Sequence, residues 1–369
     1  MTSPPTNVLY VTGWNAPDRL LTALVSRLHP ERVRYTVAVT DHPGGPLDDL
    51  VALGVDVHAI GPTSVPALPR TALTLRRLLD RTTPDVVHSN MFLPTVATEL
   101  ARLGRARPPS LLHRHYADIH HLLGKRAHVA LDGWASRRAT AVAAVSNAAR
   151  DVVVREGAPR SKVHVVHNGL DVEAIRADPV GTARWRARLG GDPLLVTACR
   201  IDPQKDLATL LRSLAAVRAH HPAAVLAIAG HGEPAARDAL LADARDLGIA
   251  EAVHLLGRID DVHDLIVAAD VYVQSSIEEG FGLSVLEAMA LGVPVATTTP
   301  SGLADVVGDI YPWVPVREPA ALAALILERL HEPERARALA DRGVAHVRAR
   351  FTDTRMADGV LALYRAVAT

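Results

Sequence analysis

The segment "DVYVQSSIEEGFGLSVLEAMALGVPVATTT", residues 270–299, decides the fold, because two strand patterns flank one helical pattern. The apolar, β-branched run "DVYVQSS" predicts a strand that ends at Ser276. "LSVLEAMALG" predicts a helix that ends at Gly292, with Pro294 just beyond it, and "PVATTT" predicts the next strand. A strand, a helix and a second strand in this order are typical of a parallel α/β sheet.

The same alternation of short apolar runs and longer helical patterns extends along the rest of the chain. The runs are apolar at nearly every position, which is typical of parallel strands that are covered on both faces. The earlier predicted strands are 7–13, 34–40, 55–60, 85–90, 110–116, 141–146 and 162–169. The later ones are 194–200, 224–232, 252–257, 270–276, 294–299 and 312–316.

The chain has 369 residues, which is more than one ordinary hydrophobic core holds. A polar stretch with glycine and proline, residues 177–192, interrupts the alternation and predicts a connection at about residue 185. We therefore expect two doubly wound α/β domains of similar size that face each other across a cleft. Residues 351–369 predict a further helix beyond the second sheet.

Composition excludes several classes of protein. The formal net charge is zero, which gives no indication of nucleic-acid binding. The single cysteine excludes an internal disulfide, no apolar run reaches the roughly 18 residues of a membrane span, and the N-terminus does not resemble a signal peptide. We expect a cytoplasmic protein. A basic surplus over residues 101–138 predicts either a solvated helical face or a surface for an anionic acceptor, and it leaves peripheral contact with the inner membrane surface open.

Two carboxylates flank the glycine turn of the opening segment. Glu279 precedes "GFG", and Glu287 lies about one turn inside the predicted helix. Small residues at a helix N-terminus let backbone N–H groups approach a phosphate, so Glu279 could reach whatever the phosphate carries. A buried Glu287 needs a partner, and a ribose diol would supply two hydroxyl donors. An exposed glutamate and a capping acid are the alternative interpretation.

Cations and glycines follow two other predicted strands of the second half. Arg200 and Lys205 come after "LLVTAC", where a guanidinium fork and a compact ammonium would suit a diphosphate. Gly230 and Gly232 come after "AVLAIA" and would permit close approach of the backbone to a ligand. No G-x-G-x-x-G follows the first strand, which argues against a dehydrogenase.

Histidines cluster in the first half of the chain. His88 lies in "DVVHSN", and His113 and His115 lie in "LLHRHY", where strand periodicity places both on one face. His120 and His121 follow closely. A catalytic or acceptor-side role, a structural role and a metal site all stay open for this cluster.

In their order and spacing, these motifs resemble the retaining GT-B glycosyltransferases of family 4 (glycosyl transferases group 1), which transfer a sugar from a nucleotide diphosphate. The resemblance covers most of the chain and is strongest over residues 163–295. It rests on the R-x4-K pair Arg200 and Lys205, the E-x7-E pair Glu279 and Glu287, the G-x-G at Gly230, the "NG-x-D" turn at 168–171 and the terminal "FTDTRMADGVLALYRAV". It implies two Rossmann-like domains, 1–180 for the acceptor and 190–350 for the nucleotide sugar, with the helix of 351–369 crossing back to the first.

The resemblance also implies a role for each matching residue. Arg200 and Lys205 would hold the diphosphate and stabilise the leaving group, Glu287 would bind the ribose, and Glu279 would bind hydroxyls of the donor sugar. The other implied donor residues are Gly230, Gly280, Phe281, Gly282 and Leu283, with Arg258 and Ile259 beside the base. The implied acceptor residues are Gly13, Trp14, Asn15, His88, His115 and Asn168. His115 joins Glu279, Arg200 and Lys205 in the implied catalytic set, and no metal is required because cations and helix N-termini take that role.

The implied reaction moves a hexose or N-acetylhexosamine, with retention, to a hydroxyl of a small-molecule or lipid-linked acceptor. UDP is favoured over GDP as the nucleotide, and no cofactor is required besides the donor. A GT-B sugar-nucleotide epimerase, a phosphorylase and a catalytically silent sugar-nucleotide-binding protein are the alternatives. Two departures lie in the acceptor domain: "VTGWNAPDRLL" has Gly13 where the family often has Gly-Gly, and "DVVHSN" replaces H-x-H. We interpret them as signs of an unusual small acceptor.

Overall fold

The computed structural model describes residues 4–13, 19–28, 31–40, 47–62, 64–299 and 301–368. The chain divides into two compact units. The first unit combines Met1–Gly169 with Asp353–Thr369, and the second unit is Leu170–Thr352.

Strands and helices alternate through both units. The strands are β1 Thr6–Gly13, β2 Val33–Thr40, β3 Asp56–Gly61, β4 Val86–Asn90, β5 Ser110–Arg114, β6 Ala141–Ala144, β7 Val163–Val165, β8 Leu194–Ala198, β9 Val225–Ala229, β10 Val253–Gly257, β11 Val271–Gln274 and β12 Val295–Thr297. The helices are α1 Arg19–Arg27, α2 Leu47–Ala52, α3 Leu68–Thr82, α4 Phe92–Ala101, α5 Ile119–Leu122, α6 Arg126–Arg138, α7 Asn147–Arg155, α8 Pro179–Leu189, α9 Leu207–Arg218, α10 Pro234–Asp246, α11 Val262–Val267, α12 Leu283–Ala290, α13 Leu303–Val307, α14 Pro319–His331, α15 Pro333–Arg350 and α16 Asp353–Ala368.

In its described residues, the first unit contains a seven-stranded parallel sheet in the order β3-β2-β1-β4-β5-β6-β7. Strand β1 shows why the sheet is covered on both faces. Tyr10 lies in one apolar cluster with residues of α1 and α16, whereas Leu9 and Val11 lie in another with residues of α3. Because neighbouring side chains of a strand point to opposite faces, each face of the sheet buries its own layer of helices.

The last helix, α16, belongs to the first unit. Leu361 and Tyr364 are buried in the same apolar cluster as β1 and β2. At the start of the helix, Arg27 Nε donates to Asp353 Oδ2 at 2.6 Å. Residues 353–368 therefore complete a core whose other residues come from the beginning of the chain.

The described residues of the second unit contain a five-stranded parallel sheet in the order β10-β9-β8-β11-β12. Its core includes Leu195 of β8 and Ile228 of β9, packed with Leu210 and Leu214 of α9 and Ile326 of α14. The chain starts at β8, continues outward through β9 and β10, and then returns to place β11 on the other side of β8. Strands β8 and β11 are therefore the point at which the strand order reverses.

Two sequence predictions differ from the structure. The stretch that we interpreted as a connection contains helix α8, whose N-cap Asp178 accepts hydrogen bonds from the N–H groups of Val180 and Gly181. Tertiary contacts stabilise this helix despite its weak apolar pattern, since Trp185 is buried and its Nε1 donates to Asp261 Oδ2 at 3.0 Å. The predicted strand 312–316 is reduced to a single bridge between Val314 and Thr298.

Within the described residues, no helix combines the length and the apolar character that crossing a bilayer requires.

Candidate functional site

The candidate donor site lies at the carboxyl edge of the second sheet. Arg200 and Lys205 follow β8, and Glu279 follows β11, the strand beside β8. Ligands of open parallel sheets bind outside the carboxyl ends of the strands where the strand order reverses. The two motifs that the sequence separates by more than seventy residues therefore meet at the point where such a fold binds ligands.

Lys205 and Glu279 form a buried ion pair across these two strands. Lys205 Nζ lies 2.6 Å from Glu279 Oε1, and the two side chains are 11% and 9% exposed. Lys205 ends a short 3₁₀ turn, Pro203–Lys205, whose N-cap Asp202 accepts a hydrogen bond from the N–H of Gln204 at 3.1 Å. The sequence indicated both residues but gave no sign that they pair, because nothing local specifies a partner on another strand.

Two further side chains donate to the same oxygen of Glu279. Gln274 Nε2 lies 3.0 Å and Ser276 Oγ lies 2.8 Å from Oε1. The hydroxyl of Tyr272 lies 3.4 Å from Gln274 Oε1 and 3.3 Å from the carbonyl oxygen of Ala198, so these two acceptors share its one proton. Sequence reasoning missed Gln274 and Ser276, because both belong to a segment that reads as an ordinary buried strand.

The glycine turn between Glu279 and α12 is shaped by close backbone approaches. Gly282 has φ +96°, and a Cβ there would lie 2.6 Å from Leu303 Cδ1. The backbone N–H of Gly302 donates to the carbonyl of Glu279 at 2.9 Å, and a Cβ on Gly302 would lie 2.0 Å from the carbonyl oxygen of Gly280. The chain from Gly280 to Leu283 is thus held at the N-terminus of α12.

The second acid of the pair, Glu287, is buried inside α12. It is 5% exposed and lies among buried apolar neighbours. Burial, with a smaller contribution from the Glu287 charge, raises the pKa of the Tyr272 phenol. The burial of Glu287 contradicts the alternative of an exposed glutamate, and the ribose contact stays a prediction. Phe281 is also buried, and its ring meets Phe351 edge to face at 5.6 Å between centroids.

Arg200 is the exposed cation of the site. Its side chain is 59% exposed, and its Nη2 lies 2.9 Å from Asp202 Oδ2. A surface ion pair of this kind contributes little stability, so the Arg200 guanidinium can leave Asp202 and bind a phosphate at a small cost in free energy.

Gly230 has a backbone role that its sequence motif did not reveal. Its φ is +142°, and a Cβ would lie 1.8 Å from the carbonyl oxygen of Cys199. The glycine therefore allows the loop after β9 to contact the loop that carries Arg200. Arg258 and Ile259 come directly after β10, at the same edge of the sheet, and are exposed and half-buried respectively.

The predicted acceptor residues of the first unit are dispersed. Gly13 ends β1, Asn168 is buried in the loop after β7, and His115 follows β5. The rings of His113 and His115 are stacked at 4.4 Å between centroids, as expected for side chains on one face of the strand. Trp14 and Asn15 lie outside the described residues.

His88 lies deeper than an acceptor residue should. It is fully buried in β4, its Nδ1 is 2.6 Å from the hydroxyl of Tyr364, and its Nε2 is 3.2 Å from His113 Nδ1. Burial lowers the pKa of His88 to about 3, and it lowers the pKa of His113 well below its usual value. Both histidines are therefore neutral in the fold, and the structure gives His88 a place in the core rather than at a surface.

A buried charge network that the sequence did not suggest surrounds Arg114, the last residue of β5. Arg114 is 1% exposed, with Nη1 3.0 Å from Asp132 Oδ1 and Nη2 3.2 Å from Glu156 Oε1. Tyr116 donates its hydroxyl to Asp132 Oδ1 at 2.6 Å, and His120 Nδ1 lies 2.6 Å from Asp132 Oδ2. Burial raises the pKa of Glu156, which the Arg114 charge opposes. Histidines near His115 thus serve partly to hold the loop after β5.

The basic surplus over residues 101–138 is therefore not one continuous surface. Arg102 is buried and its Nη1 lies 2.8 Å from Glu99 Oε2, and Arg105 pairs with Asp80 at 2.5 Å. Lys125 and Arg126 are exposed, and beside them Leu122 and Leu123 are 42% and 45% exposed. The segment 122–126 is the part that still fits an anionic or lipid-bearing acceptor.

Among the residues that the structure describes, no three histidine, cysteine, aspartate or glutamate side chains converge as metal ligands.

Two family models together match most of the chain. The model for Glycosyltransferase Family 4 matches residues 18–174, and the model for Glycosyl transferases group 1 matches residues 182–345. The chain is 30% identical over 306 residues to the glycogen synthase of Mycobacterium tuberculosis, covering 78% of this chain and 69% of that protein. It is 35% identical over 218 residues to the D-inositol 3-phosphate glycosyltransferase of Segniliparus rotundus, covering 56% of this chain but only 47% of that relative.

Solved structures share the fold over nearly the whole chain. The crystal structure of Anabaena Alr3699/HepE in complex with UDP and glucose superposes with a TM-score of 0.86, covering 98% of this chain and 100% of that one at 19% identity. The predicted GT-B fold, with two parallel-sheet α/β units, is thereby confirmed. The chain belongs to the GT-B glycosyltransferases of family 4, as shown by its two parallel sheets, the two matched family models and the glycogen synthase relative.

Proposed function

We propose that this protein is a retaining glycosyltransferase that moves a hexose or N-acetylhexosamine from a UDP-sugar to a hydroxyl of a small-molecule or lipid-linked acceptor. The observation that carries the proposal is the Lys205–Glu279 pair at the point where the second sheet reverses its strand order. Lys205 supplies a cation for the diphosphate, and Glu279 supplies a carboxylate for the sugar that the diphosphate carries.

The proposed roles follow from what each group can donate or accept. Arg200 and Lys205 bind the phosphate oxygens and stabilise the negative charge that develops on the leaving UDP. The bond from the anomeric carbon to the β-phosphate oxygen breaks, and a bond from that carbon to the acceptor oxygen forms on the same face. The proton of the acceptor hydroxyl passes to the departing phosphate oxygen. Glu287 binds the ribose hydroxyls, and the family resemblance assigns His115 a catalytic role.

The relatives support the donor more than the acceptor. UDP and glucose are bound in the Anabaena protein, which favours UDP over GDP. The names of two relatives, for inositol 3-phosphate and for glycogen, indicate two unlike acceptors. The acceptor of this chain is therefore proposed only as a class, and the exposed segment 122–126 keeps a lipid-linked hydroxyl within that class.

The test is a calorimetric titration of UDP and of GDP, without metal, into the wild type, Lys205→Ala and Lys125→Ala. Removal of the ammonium at 205 should weaken UDP binding about 100-fold, roughly 3 kcal/mol. Lys125 is exposed in the first unit and serves as the matched control, so its variant should bind UDP like the wild type. If Lys205→Ala binds UDP unchanged, the assignment of the donor site is wrong.

The two alternatives give different outcomes in a turnover assay. A transferase releases UDP from a UDP-sugar only when a suitable acceptor panel is added, beyond a slow hydrolysis. An epimerase converts the donor sugar without any acceptor. A silent sugar-nucleotide-binding protein binds the donor and leaves it intact with every acceptor in the panel.

A further inference from the structure

We propose that Gln274 and Ser276 are positioning residues that hold Glu279 so that its second carboxylate oxygen, Oε2, faces the donor sugar and selects sugars with a hydroxyl at that point. This inference rests on the proposed function, because it assigns a sugar subsite within the same donor site. Neither residue touches the ligand itself, since Gln274 is 1% exposed and Ser276 is fully buried.

The two oxygens of Glu279 have unequal surroundings. Oε1 accepts from Lys205 Nζ at 2.6 Å, from Ser276 Oγ at 2.8 Å and from Gln274 Nε2 at 3.0 Å. Within the described part of the chain, no hydrogen bond reaches Oε2. A carboxylate oxygen has about two lone-pair positions, so three donors saturate Oε1. The lone pairs of Oε2 remain for a ligand, and a neutral hydroxyl is the donor that a sugar presents.

Gln274 is itself oriented by its neighbours. Its Oε1 faces the hydroxyl of Tyr272 at 3.4 Å, and its amide nitrogen points the other way. That nitrogen has two protons, and its two partners are Ser276 Oγ at 2.6 Å and Glu279 Oε1 at 3.0 Å. Both N–H donors are therefore used, and the amide has no freedom to rotate without losing a bond.

Ser276 completes a closed set of hydrogen bonds. Its hydroxyl accepts from Gln274 and donates to Glu279, and its carbonyl accepts from Thr298 Oγ1 at 2.8 Å. Gln274 is the last residue of β11 and Ser276 follows two residues later, where the two side chains bond each other.

An apolar residue would be the simpler choice at two fully buried positions. A buried amide and a buried hydroxyl cost free energy unless all their hydrogen bonds are made. Here both N–H groups of Gln274 and the hydroxyl proton of Ser276 have acceptors, and each of these bonds ends on Glu279 or on Ser276, which contacts it. The network therefore fixes the direction of one carboxylate, which is what a subsite for a sugar hydroxyl requires.

The test compares the affinity for UDP with the affinity for UDP-glucose, UDP-galactose and UDP-N-acetylglucosamine by calorimetry. For the preferred sugar, the dissociation constant of UDP divided by that of the UDP-sugar measures the contribution of the sugar subsite alone. Gln274→Leu and Ser276→Ala should each lower this ratio about tenfold and leave UDP affinity unchanged. Gln204→Leu is the matched control, because Gln204 is the other glutamine of the chain and does not contact the carboxylate of Glu279.

A double-mutant cycle then separates positioning from general damage. In a Glu279→Gln background, Gln274→Leu should have little further effect on the ratio, since its effect acts through Glu279. A full tenfold loss in that background, an equal loss of UDP and UDP-sugar affinity, or an unchanged ratio in both single variants would each overturn the inference. Failure of the wild type to bind any of these nucleotides would overturn the proposed function, and the subsite with it.

Discussion

Replacing Gly230 by alanine should disrupt the second unit and its donor site together. The backbone of Gly230 has φ +142°, a conformation that residues with a side chain rarely adopt. An added Cβ would also lie 1.8 Å from the carbonyl oxygen of Cys199 and 2.7 Å from its carbonyl carbon. Both atoms belong to the backbone just before Arg200, so the strain cannot be relieved by a side-chain rotation.

The expected loss of stability has two parts. The unfavourable φ costs about 1–3 kcal/mol, and the displacement of packed backbone costs about 1–3 kcal/mol more. Gly248→Ala is the control for a positive φ without a steric contact, because Gly248 has φ +67° and nothing lies within 4 Å of its added Cβ. That control should lose about 1–2 kcal/mol. The additional loss in Gly230→Ala measures the approach to Cys199 together with the less accessible φ of +142°.

Urea unfolding followed by tryptophan fluorescence measures this difference. Trp185 is buried in the second unit, and it reports on that unit alone when Trp14, Trp134 and Trp313 are replaced by phenylalanine in every variant. UDP titration of the folded variants adds a second measurement, since a shift of the Cys199 backbone moves Arg200 and should weaken UDP binding for Gly230→Ala alone. If Gly230→Ala is no less stable than Gly248→Ala and binds UDP equally well, the close approach has no energetic importance and the reasoning fails.

Two further predictions concern buried titratable groups. The pKa of His88 is lowered to about 3 in the fold, so the unfolded chain takes up its proton first as pH falls below 6.5. The stability that neutral His88 contributes is fully present above pH 6.5 and falls by about 1.4 kcal/mol per pH unit on acidification. In urea unfolding, His88→Phe should therefore make the decline of the free energy of unfolding between pH 6.5 and pH 5 shallower. Glu287→Gln should weaken the binding of UDP about tenfold and leave the binding of 2′,3′-dideoxy-UDP unchanged. Glu251→Gln is the control, because Glu251 is exposed. Equal effects on the two ligands would refute the ribose contact.

The strands and helices that the sequence predicted correctly are those that a local residue pattern specifies. The apolar run around Tyr272 forms a strand, and the "LSVLEAMA" pattern forms α12, because side-chain periodicity is a local property. Parallel topology then places every strand's carboxyl end at one edge of its sheet. The sequence alone therefore predicts that motifs after neighbouring strands of one sheet lie close together, although it does not predict their contacts.

Partners across the sheet were not predictable from local pattern. Helix α8 depends on Trp185 and Arg186, whose partners Asp261 and Asp270 are more than seventy residues away. The "PWVPV" run alternates like a strand, but within the described residues its one bridge joins Val314 to Thr298. The burial of His88 likewise depends on Tyr364, which α16 brings from the other end of the chain. In each case tertiary contacts decide an outcome that propensity leaves open.

The choice of lysine at position 205 has a structural reason that a charge-conserving change can test. Three of the 40 basic residues are lysine. Of these three, Lys205 lies in the candidate donor site, where its side chain is 11% exposed. Its compact head approaches Glu279 Oε1 to 2.6 Å beside two other donors, where a planar guanidinium would displace Gln274 or Ser276. Lys205→Arg should therefore keep its charge yet lose about tenfold in the ratio of UDP to UDP-sugar dissociation constants. A ratio equal to that of the wild type would show that charge alone, and not the shape of the cation, is what the site requires.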